Sequence, residues 1–368
     1  MAGPRAPHEV EYSDLIRFLD ENLRPDQQWS IRDEYPMALS QNNLQNMRVI
    51  FDETAETKTV LSHAVIRPLL VRSPIGIFKV AAIGSVVTDT AYRNKGLSAQ
   101  IIEECLSSAR AQDCDFAILW TNLYDFYRKF GFELAGTEVS FRLNGTFPKE
   151  NQNLKFLKTN KIDPAAVYRV FGTHSVTSVR TLDEIRRYLE IPNSRVYSAW
   201  DQQGQLQAYA IEGKGADLQG YIHEWGGAVP KVLALLDYIQ GQSEKEHTVI
   251  VPGHAQNLRR QLTDLGHTSH AGFLGMIKIL QPSNLFGKII RQARTDFGIN
   301  DLRLELKDGA YYIGIKDSLF KTNSEADIVR LVFGPQKPSD LHGFDPSTLS
   351  ALENLLPIKM WLWGWDSI

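Results

Sequence analysis

The sequence predicts a mixed α/β (α+β) chain of three units: one with a mixed central sheet, a fainter second copy of it, and a small C-terminal α+β unit. Three observations predict this. A strand–helix–strand crossover runs through residues 77–120, the same order of elements returns in weaker form after residue 147, and Asp308-Gly309 marks a hairpin near the C-terminus. A length of 368 residues agrees with two or three domains at roughly 150 residues each. The expected boundaries are 1–146, 147–282 and 283–368.

The first unit opens on a helix with Leu15, Ile16, Leu19 and Leu23 at helical spacing and Ser13 as its N-cap. A second helix is expected over Ile31 to Leu39. Strands follow over residues 47–53, 59–72 and 77–88, with Ser73-Pro74-Ile75-Gly76 as the turn between the last two. The next helix carries one apolar stripe of Leu97, Ile101, Ile102, Cys105, Leu106 and Ala109. Residues 115–120 form a short, almost wholly apolar strand, which suits a buried parallel neighbour. A short helix ends at Gly131, and residues 139–143 form one more strand. Beyond Pro148 and the polar stretch 149–155, an amphipathic helix, two strands, a helix, a strand and a short helix repeat the order. Asn122 lies nine residues before Gly131 and Asn257 nine before Gly266, each pair after a short apolar strand. From Ser283 onward come the Asp308-Gly309 hairpin, a helix capped by Asn323 or Ser324 and ended at Gly334, and an aromatic tail with Trp361, Trp363 and Trp365.

Composition narrows the classes. Hydrophobic residues at 43% and charged residues at 23% are globular averages, which excludes disordered and fibrous chains. No apolar run reaches the roughly 18 residues that span a bilayer, and the N-terminal residues lack a secretory apolar stretch, so a membrane partner is not expected and the cytoplasm is. A net charge of −3 without a basic run argues against nucleic acid. Cys105 and Cys114 fall in or near one helix, so no disulfide framework is expected.

The chemistry concentrates between Val86 and Ala99. There a strand ends, the chain turns through Arg93, Asn94, Lys95 and Gly96, and a helix begins at Leu97. The turn's N–H groups and the helix's unpaired N-terminal donors converge on one point, which the helix dipole makes an anion site. Gly96 allows close backbone approach, Arg93 and Lys95 add charge, and small Ser98 and Ala99 leave room for phosphates.

This segment resembles motif A of the GNAT superfamily of N-acetyltransferases, whose pattern is Arg/Gln-x-x-Gly-x-Gly/Ala between a strand and a helix. Asn122 and the run Tyr127-Arg128-Lys129-Phe130-Gly131-Phe132 resemble its motif B, which ends Tyr-x-x-x-Gly-Phe. Ser98 is a departure from the usual Gly or Ala. The resemblance implies a GNAT fold and acetyl-coenzyme A as co-substrate, with no metal. It implies that the backbone of Val86, Val87 and Thr88 holds the pantetheine arm and Asn122 its lower part. The pyrophosphate would rest on Asn94 to Ala99, beside Arg93. A neutral amine attacks the thioester directly, and Tyr127 stands where the family places the acid that protonates the leaving thiolate. The three-unit order resembles the "enhanced intracellular survival" type, whose third domain is sterol-carrier-like and whose C-terminal carboxylate, here on Ile368, reaches the active site as a base.

The second copy lacks the motif. Its turn, Trp225-Gly226-Gly227-Ala228-Val229, has no arginine, and Leu262 stands where Tyr127 does, so it is expected to bind no coenzyme and to serve as scaffold or acceptor wall. His223 and Glu224 are candidates for lining an acceptor cleft. Trp29 and Tyr35 with Asp26, Asp33 and Glu34 offer a place for a cationic amine. The acceptor is a small-molecule or peptide amine. Aminoglycoside, polyamine, peptide amine and protein lysine stay open, as does a homo-oligomer. His254, His267 and His270 have no partners at metal spacing, and no phosphate-loop or hydrolase-elbow pattern occurs. A non-catalytic acyl-coenzyme A sensor and a lipid carrier are the rival readings.

Overall fold

The computed structural model describes residues 1–52, 59–148, 153–242 and 245–368. Glu53, at the end of one expected strand, and residues 149–152 of the expected polar link lie outside the described residues. The chain is mixed α/β, as the sequence predicts, and its described residues form three sheets.

The first sheet begins with β1 (Ala2–Arg5) and the helices α1 (Tyr12–Leu23) and α2 (Ile31–Glu34). Both helices correct the sequence reading. A short 3-10 turn over Glu9–Glu11 leads into α1, so Glu11 and not Ser13 stands at the N-cap. α2, capped by the Ser30 hydroxyl, ends at Glu34, well before Leu39. Then come β2 (Met47–Asp52), β3 (Thr59–Ser73), β4 (Gly76–Thr88), α3 (Leu97–Ala111), β5 (Phe116–Leu119), α4 (Tyr124–Arg128) and β6 (Glu133–Ala135). Leu97, Ile101, Ile102, Cys105, Leu106 and Ala109 are all buried on α3, as the stripe predicts. They pack against Leu61, Ala64, Ile66, Ala81 and Ile83 of the sheet, while Leu15, Ile16 and Leu19 of α1 cover its other face. Each fully buried leucine or isoleucine contributes about 1.5–3 kcal/mol, so this two-sided cover fixes the plane of β4 and the position of the α3 N-terminus. Cys105 and Cys114 are free buried thiols, pushed up to about 12 and about 11 by burial.

The second sheet takes β7 (Glu138–Arg142), β8 (Lys155–Lys158), β10 (Arg195–Trp200), β11 (Leu206–Lys214), β12 (Asp217–Gly227), β13 (Thr248–Pro252) and β14 (Thr268–Gly272). α5 (Pro164–Phe171), α6 (Leu182–Leu189), α7 (Val229–Gly241) and α8 (Gln256–Asp264) accompany it, and β9 (Thr177–Ser178) pairs back onto β3. Its hairpin β11–β12, crossover α7 and parallel strand β13 repeat the succession β3–β4, α3 and β5.

Sheet membership crosses the expected boundary at residue 146. The strand order of the first sheet is β1-β2-β3-β4-β5-β15-β6, where β15 is Gly275–Ile279 from far along the chain. The second runs β14-β7-β13-β12-β11-β10-β8, so β7, expected in the first unit, is built into the other sheet. A strand's apolar pattern shows that it is buried and not which neighbour buries it. Both exchanged strands lie inside their sheets, β15 between β5 and β6 and β7 between β14 and β13.

α9 (Pro282–Phe297) leads to a third, antiparallel sheet of β16 (Leu302–Lys307), β17 (Ala310–Ile315) and β18 (Ser318–Thr322). Asp308 and Gly309 both take positive φ, 50° and 75°, as a two-residue hairpin turn requires. α10 (Glu325–Phe333) is capped by Ser324 and meets the first sheet through Lys278–Glu325 and Arg330–Glu133 ion pairs. α11 (Pro346–Leu355) precedes the tail, in which Trp361, Trp363, Trp365 and Asp366 are buried.

Candidate active site

β4 and β5 run parallel with Val80, Ala81 and Ala82 paired to Phe116, Ala117 and Ile118. The pairing then stops while β4 continues to Thr88. From Ile83 onward the β5-facing edge of β4 has peptide groups without a strand partner, and such groups seek one. Within this stretch Ser85 has φ +48°, and the register against β3 slips between His63 and Val65, which is a β-bulge. The His63 ring, wholly buried, holds the bulge with Nδ1 2.9 Å from the Ser85 carbonyl oxygen, and burial lowers it to about 4, so it is neutral. The sequence reading missed His63. Nothing in its spacing distinguishes it from an ordinary strand residue.

Beyond the bulge lies the expected turn. A cleft of about 390 Å³ is lined by Thr88, Arg93, Asn94, Gly96, Leu97, Ser98 and Ala99, with Tyr92, and closed on the far side by Leu123 and Phe126 at α4. Thr88 joins the loop to the helix, its hydroxyl 2.7 Å from those of both Ser62 and Ser98. Asn94 and Gly96 take φ of +62° and +78°, so the turn demands left-handed conformations at both positions. A Cβ at Gly96 would meet nothing within 4 Å, so in this structure the need for glycine there is conformational. Arg93 folds back, with Nε 3.3 Å from the Thr88 carbonyl oxygen, and Lys95 stacks its ammonium 4.5 Å from the centre of the Tyr92 ring. Val86 and Val87 lie on β4 just past the bulge, while Asn122 is exposed between β5 and α4. Neither these three nor Lys95 is among the residues lining the cleft.

Tyr127 sits on the α3 side of the sheet, buried at 6% exposure, with ring contacts to Phe126 and Phe132. Burial, with the Cys105 thiol second, pushes its hydroxyl up to about 12. Against a reference thiol near 8.5, full proton transfer to a thiolate is uphill by about 3.5 units, or roughly 5 kcal/mol. The gap is wider than ordinary tyrosine would give, and the buried hydroxyl stays protonated at neutral pH.

The chain's last residue comes to the same strand from the opposite direction. A Cβ on Gly84 would lie 2.6 Å from the carboxyl carbon of Ile368 and 2.7 Å from its oxygen. Only glycine admits the terminus there, one residue before the bulge. Ile368 also lines a second cleft, about 540 Å³, with Tyr35, Trp120, Glu138, Lys214, Asp217 and His223 among its walls. That cleft lies where the two large sheets meet. Of the expected acceptor residues, His223 and Tyr35 line it. Glu224 does not: it is fully buried against Arg180 at 2.5 Å. Glu34 is also spent, wholly buried and bonded by Arg24 at 2.7 Å and Trp29 Nε1 at 2.6 Å. Trp29 and Asp33 line a separate open cleft of about 770 Å³, and Asp26 is exposed. Among the described residues, no group of three or more His, Cys, Asp or Glu could hold a metal ion, and no helix is long and apolar enough to cross a membrane.

Residues 5–135 match the family model of the acetyltransferase (GNAT) domain. Comparison of the sequence with curated proteins gives no match. Several solved structures match over the whole length. A GCN5-related N-acetyltransferase from Anabaena variabilis aligns with a TM-score of 0.67 at 17% identity, covering 99% of each chain. A probable N-acyltransferase from Enterococcus faecalis, described as a conserved protein of unknown function, gives 0.65 at 13% identity over 97% of this chain and 99% of that one. Eis1 from Mycobacterium abscessus gives 0.64 at 11% identity, covering 99% of both. At these identities the likeness is one of fold. Residues 5–135 thus form a domain similar to GNAT acetyltransferases, set in a chain whose whole length folds like these structures.

Proposed function

We propose that the chain is an acetyl-coenzyme A-dependent N-acetyltransferase that moves an acetyl group to a primary amine by direct attack. The observation that carries this reading is the convergence on β4: the open edge from Ile83 to Thr88, the anion-ready turn at the α3 N-terminus, and the Ile368 carboxyl group against Gly84.

The residues fit the coenzyme. Extended pantetheine amides suit the unpaired edge of β4 at Val86 to Thr88, and the pyrophosphate suits the N–H groups from Asn94 to Ala99 with Arg93 and Lys95 nearby. Asn122, in the loop after β5, stands to meet the lower arm. When bound, the coenzyme supplies the acetyl thioester and a thiolate leaving group. Holding amine and thioester in line supplies much of the rate such a site can give. The Ile368 carboxylate attracts the ammonium and takes its proton as the nitrogen attacks. Tyr127 shares its hydroxyl proton with the departing sulfur; its raised pKa fits stabilisation through a hydrogen bond. We infer that the second sheet, a degenerate copy, serves as scaffold and acceptor wall, and that the third is a sterol-carrier-like accessory. The acceptor is a small-molecule or peptide amine.

A thiol-release assay with acetyl-coenzyme A and a panel of amines tests the reading. The wild-type chain turns over at least one amine. Tyr127→Phe lowers kcat about 10²-fold, and a glycine-serine extension after Ile368 does at least as much, both with coenzyme affinity intact. An extended chain of full activity removes the carboxylate from the mechanism. Binding of acetyl-coenzyme A with no turnover of any amine favours the sensor.

A further inference from the structure

The terminal carboxylate can act only if the tail is held in place, because chain ends are ordered only where something ties them down. Two tiers of buried polar contacts do so, both anchored in the second unit. The first grips Asp366. Arg180, wholly buried, lies 2.7 Å from the Asp366 carboxylate and 2.5 Å from Glu224, and the Ser178 hydroxyl donates to Asp366 at 2.7 Å. Trp365 stacks on Tyr188, and its backbone N–H donates to Glu224.

The second tier is a single side chain. Lys214, at the end of β11 and 1% exposed, donates to the carbonyl oxygens of Gly364 at 3.0 Å, Trp365 at 3.4 Å and Ser367 at 2.5 Å. Three N–H donors meet three carbonyl oxygens at the end of the last helical turn, and the last of these belongs to the residue before Ile368. Its ammonium also lies 4.8 Å from the centre of the Tyr35 ring. The loop after Lys214 is bolted to the first unit: Ala216 N–H donates to Glu34, and Arg24 and Tyr35 both bond Asp217. Lys214 therefore stands between the tail and Tyr35, which follows α2 and lines the same cleft.

We propose that Lys214 is a positioning residue for the acetyl transfer, fixing the Ser367 carbonyl so that the Ile368 carboxylate rests on Gly84 beside the Ser85 bulge. The inference rests on the carboxylate's role as base given above. A lysine buried this completely is costly unless its protons are used, and here all three are spent on the end of the chain. Without them Ser367 and Ile368 regain the freedom of an ordinary terminus and the carboxylate leaves the bulge.

The test uses the full chain carrying Lys214→Met or the milder Lys214→Gln. Carboxypeptidase digestion followed by mass spectrometry reads the tail directly: Ile368 is released at least tenfold faster from Lys214→Met than from wild type, with Lys214→Gln between. Equal rates overturn the clamp. Kinetics with acetyl-coenzyme A and the amine that wild type turns over best read the consequence. The kcat falls tenfold or more while KM for acetyl-coenzyme A stays within twofold, a split that general loosening of the fold does not produce. Lys214→Met added to the glycine-serine extension costs nothing further, because both remove the same group. If the extension abolishes turnover and both Lys214 variants retain it, the positioning role is wrong and the base stands. If the extended chain is fully active, the base is wrong, and the digestion still decides whether Lys214 holds the tail.

Discussion

The two large sheets each contain a parallel strand pair that splays, and they treat the opening differently. In the first, β4 parts from β5 after Ala82 and the gap leads to hydroxyls, a basic turn and the N-terminus of α3. In the second, β12 pairs with β13 only at Tyr221 and Ile222 before parting. There Trp225 fills the space: its indole N–H donates to the Ile250 carbonyl at 2.9 Å, and its ring meets Trp363 edge-on at 5.2 Å. α7 begins without a side-chain cap and with Pro230 in its first turn, which removes one of the donors an anion would use. The same hairpin–helix–strand succession thus yields an open cleft in one sheet and a packed seam in the other. What separates them is the side chain that points into the splay and the donors left at the helix start.

The most severe way to break this comparison is to empty the second splay. Trp225→Ala removes a buried indole, its hydrogen bond and its contact with Trp363, so stability falls by about 3–5 kcal/mol in urea unfolding. Calorimetry with coenzyme A is nevertheless expected to saturate at one equivalent per chain, the value also expected for wild type, because the α7 turn still lacks an arginine and keeps Pro230. A second equivalent in the variant would show that the tryptophan alone had blocked a working site.

The first splay is sharpened at Gly96. Its φ of +78° disfavours most side chains, but aspartate is among the residues that enter that region, so Gly96→Asp leaves the turn formed. It sets a negative charge where the pyrophosphate would lie. Coenzyme affinity falls more than tenfold, beyond about 1.4 kcal/mol, with a modest change in melting temperature. Unaltered affinity moves the coenzyme away from this turn.

Much of the first unit was legible because its signals are local. The α3 stripe, the turn from Arg93 to Gly96 and the Asp308-Gly309 hairpin each depend on residues within one or two turns of chain, and each forms as read. What escaped depends on distant partners. The exchange of β7 and β15 leaves no trace in periodicity, since either sheet would bury the same apolar faces. Glu34 reads as one of the acids open to a cationic amine until Arg24 and Trp29 close over it. Lys214 sits in an unremarkable Gly-Lys-Gly turn, and its meaning comes from Ser367, far along the chain. The aromatic tail was plain in the sequence; where its end goes became visible only at Gly84.

The finest distinction lies in two carboxylates near the meeting of the sheets. Glu224 is matched by Arg180, with guanidinium nitrogens at 2.5 and 3.0 Å. Glu138, at the start of the exchanged strand β7, lines the cleft that holds Ile368 and has the Ser140 hydroxyl at 3.2 Å. Burial pushes Glu138 up to about 7, only partly offset by that hydroxyl. Its folded pKa thus lies above the unfolded value near 4.3, so the folded chain binds the extra proton between those limits. The resulting stability is full below about 4.3 and is lost as pH rises through about 7. Glu138→Gln keeps the shape and cannot ionise. The wild type, measured against this variant by urea unfolding, is therefore relatively more stable at pH 5 than at pH 8. A difference that is flat across this range, or reversed, means that Glu138 is already ionised at pH 5 and has a cationic partner in the cleft. The expected slope instead leaves it as a carboxyl group that ionises near neutrality in the cleft that Ile368 also lines.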